Sequence, residues 1–143
     1  MTTAPVTVRL DPRRLEQLKA IGTALNLSSA GVIADLIRQK IADKVISPDI
    51  PGATVKRIGA GVLVELSPDH PHTYAPAHAR KLAATIRELV SNGGSSIVDL
   101  GGGFAVLRQG SGYKIAAPFP GPEVSFPGDL ALDLADLIEA AAE

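Results

Sequence analysis

The chain of 143 residues is 45% hydrophobic, enough for one ordinary domain or two small ones with packed cores, which excludes disorder throughout. It holds no cysteine, which excludes disulfides, thiolate zinc sites and a cysteine nucleophile, and fits a reducing compartment. A net charge of −1 hides an asymmetry: residues 1–46 carry seven Lys/Arg against four Asp/Glu, and residues 47–143 carry seven against eleven. The opening "MTTAPVTVRL" has no apolar core of signal-peptide length, and no apolar run is long enough to span a bilayer. These features lead us to expect a cytoplasmic protein without a membrane segment.

The first predicted element is a strand over residues 6–10. In "PVTVRL" the apolar Val6, Val8 and Leu10 alternate with Pro5, Thr7 and Arg9, so one face is apolar and the other polar. Asp11 followed by Pro12 then reads as a helix start, with a carboxylate able to cap free N–H groups and a proline at the first helical position. Leu15, Leu18, Ile21, Gly22 and Leu25 follow helical spacing, and Asn26 suits a left-handed end. Ser28 is the next N-cap, before a second helix with Val32, Ile33, Leu36, Ile37 and Ile41 on its apolar side. A strand–helix–helix unit of about 45 residues buries too little surface alone, so it is expected to be an obligate homodimer. Pairing the strand with its symmetry mate would satisfy both backbones and place Thr7 and Arg9 on an outer ribbon able to enter the DNA major groove.

Over roughly residues 4–46 this pattern resembles the ribbon-helix-helix DNA-binding proteins. The residues that carry the resemblance are "VTVRLDPRRLEQLKAIGTALNLSSAGVIADLIRQKI", with the alternating strand, small Gly22, the "NLS" turn and a β-branched second helix. Asn26 stands where a glycine is common in similar proteins. The resemblance implies an intertwined β-α-α dimer on double-stranded DNA. It also implies base-reading positions at Thr7, Arg9 and Pro5, the last unable to donate a hydrogen bond. Phosphate contacts are implied at Ser28, Ser29 and the Ala30 amide, where the helix dipole favours an anion. Arg13 and Arg14 lie in the first turn of the first helix, an unfavourable place for cations unless phosphate or a neighbouring Asp11 or Glu16 offsets it.

"SPDIPG", residues 47–52, reads as a linker, and all five aromatic residues follow it. An ungapped spacing of 51 residues aligns 55–90 with 106–141, matching Gly59/Gly110, Gly61/Gly112, Pro76/Pro127 and Ala84/Ala135 among others. Both copies read as strand, G-x-G turn, strand, proline-rich loop and helix, with a further strand in "SSIVDLGGG" between them. The expectation is an α+β fold overall, with residues 53–143 forming a domain of about five strands and two helices. A ββα internal repeat would organise this domain, whose role would be oligomerisation or binding of a partner or ligand.

The glycine clusters lack the Lys-Ser/Thr of a P-loop and read as hairpin turns. Ser67, Asp69 and His70 lie too close on one proline-flanked loop for a catalytic relay, so no enzyme is expected. His70, His72 and His78 fall within nine residues, a spacing similar to that of nickel-responsive ribbon-helix-helix regulators with His78 in place of their cysteine. No fourth ligand is apparent, so the favoured reading is a solvated loop with no metal and no cofactor. The functional expectation is a transcriptional regulator, chiefly a repressor. The alternatives are a plasmid or mobile-element accessory protein for partition or DNA transfer, and an antitoxin.

Overall fold

Asp11 and Pro12 open the first helix of the computed structural model, which describes residues 6–143. This helix, α1 (Pro12–Leu25), is capped by the Asp11 carboxylate, which accepts the Arg13 N–H at 2.9 Å, and ends at Asn26 in the left-handed conformation (φ 58°). Gly22 is required there, because a Cβ on it would sit 2.4 Å from the Leu27 carbonyl oxygen, against backbone that cannot yield. The Ser28 hydroxyl accepts the Gly31 N–H at 3.0 Å and starts α2 (Ser29–Ala42). No single helix among the described residues is long and apolar enough to cross a membrane. Taken together α1 and α2 meet that test by length and composition, but they are bent by 83° at their junction.

Residues 6–10 form no strand, and neither sheet of the protein includes them. The described chain therefore begins with two helices, and this overturns the β-α-α ribbon-helix-helix fold expected from the sequence. The alternation of Val6, Val8 and Leu10 supplies a face, but a strand also needs a neighbouring edge. The smaller of the two units into which the chain divides, ending at Pro48, contains no other strand among its described residues.

The larger unit, from Asp49 onward, is α+β. Strands β1 (Thr54–Ile58), β2 (Gly61–Glu65) and β3 (Pro71–Tyr74) form one antiparallel sheet in that order, followed by α3 (Pro76–Asn92). Strands β4 (Ile97–Asp99), β5 (Phe104–Gln109), β6 (Gly112–Ala116) and β7 (Val124–Pro127) form a second sheet, followed by α4 (Gly128–Ala142). The two additional strands, β3 and β7, lie in what reads as proline-rich loop. Pro71 begins β3 and Pro127 ends β7, and both strands lie at sheet edges, where a missing N–H costs little. Ile50, in the expected linker, is buried in this unit's core.

The register shows the repeat directly. The β1–β2 hairpin, closing at Ile58↔Gly61, corresponds to the β5–β6 hairpin, closing at Gln109↔Gly112, at a spacing of 51. Past the next loop the spacing becomes 52: Val62↔Tyr74 corresponds to Tyr113↔Phe126, and α3 starts at 76 where α4 starts at 128. The second copy thus carries one extra loop residue, and the ungapped pairs Pro76/Pro127 and Ala84/Ala135 are one residue out of register. At the spacing of 52 four buried residues of α3 (Ala79, Leu82, Ala83 and Ile86) match four of α4 (Ala131, Leu134, Ala135 and Ile138) in identity, while buried Leu89 corresponds to Ala141 and buried Ala142 to Val90. Strand β4 has no counterpart in the first copy.

The helices α3 and α4 pack on each other, and α4 also lies on β1 and β2 of the first copy while α3 reaches β5 of the second. The two halves therefore share one core, with Leu82, Ile86, Phe104, Ile115, Leu134 and Ile138 fully buried. Arginines hold its ends. The Arg57 guanidinium donates to the Glu143 and Ala141 carbonyls at 2.8 and 3.3 Å, and Arg80 to the Ala142 carbonyl at 2.9 Å, where the negative end of α4 favours cations. Arg87 of α3 pairs with Asp136 (2.7 Å) and Glu139 (2.5 Å) of α4. Tyr74 donates its hydroxyl to the Gly103 carbonyl at 2.7 Å, tying the first sheet to the loop before β5, and burial pushes the phenol above its ordinary pKa. Tyr74→Phe should cost about 1 kcal/mol, read as a lower denaturation midpoint at unchanged slope.

Candidate nucleic-acid interface

The sequence-predicted positions lie on the smaller unit, with the exception of Pro5, which is outside the described residues. Thr7 and Arg9 sit on the irregular, exposed segment before α1. Arg13 does not point freely into solvent. Its Nε and Nη2 fork onto the Asp11 carboxylate at 2.9 and 2.8 Å, and this hydrogen bonding holds the Asp11 pKa below its ordinary value. Both groups are exposed, so the pair is one that a phosphate could exchange at little cost. Arg14 donates to Gln17 at 2.9 Å.

Ser28, Ser29 and Ala30 stand at the positive end of α2, where the Ser28 hydroxyl is already occupied by the Gly31 N–H. The fold brings Lys19 and Thr23 to the same shallow depression as Ser28 and Ser29. Sequence reasoning missed these two. The available signal was their spacing of four residues on α1, which puts both on one face, but which face approaches the next helix depends on the turn at Asn26. Arg13 and Arg14 line a separate depression with Glu16 and Gln17. Arg13 and Arg14 thus lie apart from Lys19 within the unit.

Beside these polar groups the unit exposes apolar surface. Val32 is its one large apolar side chain that is buried among the described residues, whereas Val6 and Val8 are 86% and 78% exposed, and Ile33, Leu36 and Ile37 of α2 are 43–48% exposed. A face of this kind on helices with intact caps is the mark of an unsatisfied packing surface.

The histidines of the larger unit do not converge. The His70 Nδ1 lies 2.8 Å from the Pro68 carbonyl, His72 packs edge-on against the Tyr74 ring at 4.4 Å, and His78 sits in the first turn of α3. Among the described residues no three His, Cys, Asp or Glu side chains are grouped to hold a metal. The glycine pairs turn hairpins, with Gly59 and Gly110 at φ 56° and 59°. The triple glycine closes on Asp99, whose carboxylate accepts the Gly102 N–H at 2.7 Å and meets the Lys81 ammonium at 2.6 Å. No family model matches the chain, and neither a curated protein nor a solved structure matches it.

Proposed function

We propose that this chain is a cytoplasmic, homodimeric, sequence-specific DNA-binding regulator that represses transcription by occluding a promoter. The observation that carries the reading is the smaller unit's combination of an uncovered apolar face with a surplus of cations, seven Lys/Arg against four Asp/Glu up to Ile46. A second copy supplies the missing cover for Ile33, Leu36 and Ile37, and the duplicated positive charge then suits a polyanion. The dimer in this reading is made by the helix pairs. Arg9 and Thr7, on the exposed segment ahead of α1, are the groups assigned to base edges. Arginine can bond guanine O6 and N7 together, and threonine can touch a thymine methyl. Ser28, Ser29 and Ala30 with Lys19 take one phosphate, and Arg13 and Arg14 another. The larger unit, with eleven Asp/Glu against seven Lys/Arg after Ile46, is left for assembly or a partner and not for DNA.

The test is titration of the full chain with duplex DNA from upstream of its own gene at several salt concentrations. Specific binding tighter than about 10⁻⁸ M with a steep salt slope is expected. Binding no tighter than the roughly 10⁻⁴–10⁻⁶ M of non-specific contacts would overturn the reading. Arg9→Ala should weaken the specific complex by about 1–3 kcal/mol per lost base contact, with the melting temperature unchanged because Arg9 lies outside every packed element.

A further inference from the structure

We propose that strand β4 pairs antiparallel with the β4 of a second copy, so that the larger unit is itself an assembly surface. The two sheets present four edge strands, and three of them carry features that block addition of another strand. Strand β1 bears Lys56, β3 begins with Pro71, and β7 ends with Pro127. Strand β4 has neither a proline nor a free charge. Ile97, Val98 and the adjoining Leu100 are 36%, 48% and 77% exposed, the most extended run of exposed large apolar side chains in this unit.

Charge selects the occupant. From Gly93 to Gly103 the only ionisable side chain is Asp99, and it is held by Lys81 and the Gly102 N–H. An acidic or basic peptide would find no counter-charge along this edge and would lose hydration on docking. A second β4 brings two apolar side chains, one carboxylate already held by its own Lys81, and a matching length. A two-fold axis near Val98 closes the contact after two copies, joining two four-stranded sheets into one of eight strands. Glycines at 93, 94 and 101–103 flank the segment, leaving only Ser95, Ser96 and Leu100 as side chains beside the strand. Strand β4 is also the element that breaks the internal repeat, so the second copy of the repeat carries an edge that the first lacks.

The experiment is sedimentation of the full chain at tens of micromolar, comparing wild type with Val98→Lys, Leu100→Lys and a Lys56→Ala control. Val98→Lys should halve the assembly mass, and Leu100→Lys should weaken association at least tenfold. Leu100 is 77% exposed, so its replacement should leave the single-chain fold unchanged, as circular dichroism would verify. Lys56→Ala should leave the mass as in wild type. If the smaller unit also dimerises, the comparison is made in an Ile37→Glu background that removes that pairing, where the chain is a dimer and Val98→Lys a monomer; if it does not, wild type is itself a dimer and Val98→Lys a monomer. The halving thus tests β4 separately from the DNA-binding reading. An unchanged mass for both Val98→Lys and Leu100→Lys with the smaller units unpaired would overturn the proposal.

Discussion

Ile37→Glu is expected to abolish self-association of the smaller unit, unfold α1 and α2, and lower affinity for the cognate DNA by at least about a hundredfold. Judged on a single chain, the substitution should do almost nothing. Ile37 is 48% exposed, and surface changes away from packed features usually stay within about 0.5 kcal/mol. The unit is not self-sufficient, however. Ordering its backbone costs on the order of 1–2 kcal/mol per residue, and one fully buried valine returns only about 1.5–3 kcal/mol. The remaining stabilisation must come from surface that the single chain leaves open, and Ile37 shares an exposed face of α2 with Ile33 and Leu36. A carboxylate there is either dehydrated in the interface or forces the helices apart. Sedimentation mass and helical ellipticity at 222 nm, read on the full chain, decide the matter. Unchanged values for both would show that α1 and α2 stand without a second copy.

Local chemistry was legible in the sequence, and pairing between distant residues was not. Asp11–Pro12, Asn26 and Ser28 mark the ends of α1 and α2 because caps are made between neighbours. The expected strand at 6–10 failed for the complementary reason: alternation describes one strand, while a ladder requires an edge that the sequence of that strand cannot announce. The internal repeat was visible at Gly59/Gly110 and Gly61/Gly112, whose turns fix the hairpin register. Its helical half was obscured by one extra residue between β6 and β7, enough to displace every helical match by about 100° around the helix axis. At the proposed interface, the pairing of Arg13 with Asp11 was one of the alternatives readable from adjacency. The approach of Lys19 and Thr23 to Ser28 depends on how the chain turns between the helices.

The corrected repeat makes a quantitative prediction about the larger unit. Leu82 and Leu134 occupy matching positions on α3 and α4, both fully buried in the one shared core, so Leu82→Ala and Leu134→Ala should each cost about 2–5 kcal/mol, and by similar amounts. Under the ungapped spacing Leu82 would correspond to Asp133, and no such equality would be expected. Glu88→Ala, at an exposed position of α3, should stay within about 0.5 kcal/mol. The chain has no tryptophan, and both tyrosines, Tyr74 and Tyr113, lie in the larger unit, so tyrosine fluorescence during urea unfolding reports on that unit alone. Since α4 rests on the first sheet and α3 reaches the second, a cavity made in either half weakens contacts of the other. Each variant should therefore shift a single transition to lower urea without splitting it. Two separated transitions in Leu134→Ala, with one at the wild-type midpoint, would mean that the halves fold independently and that the core is not shared.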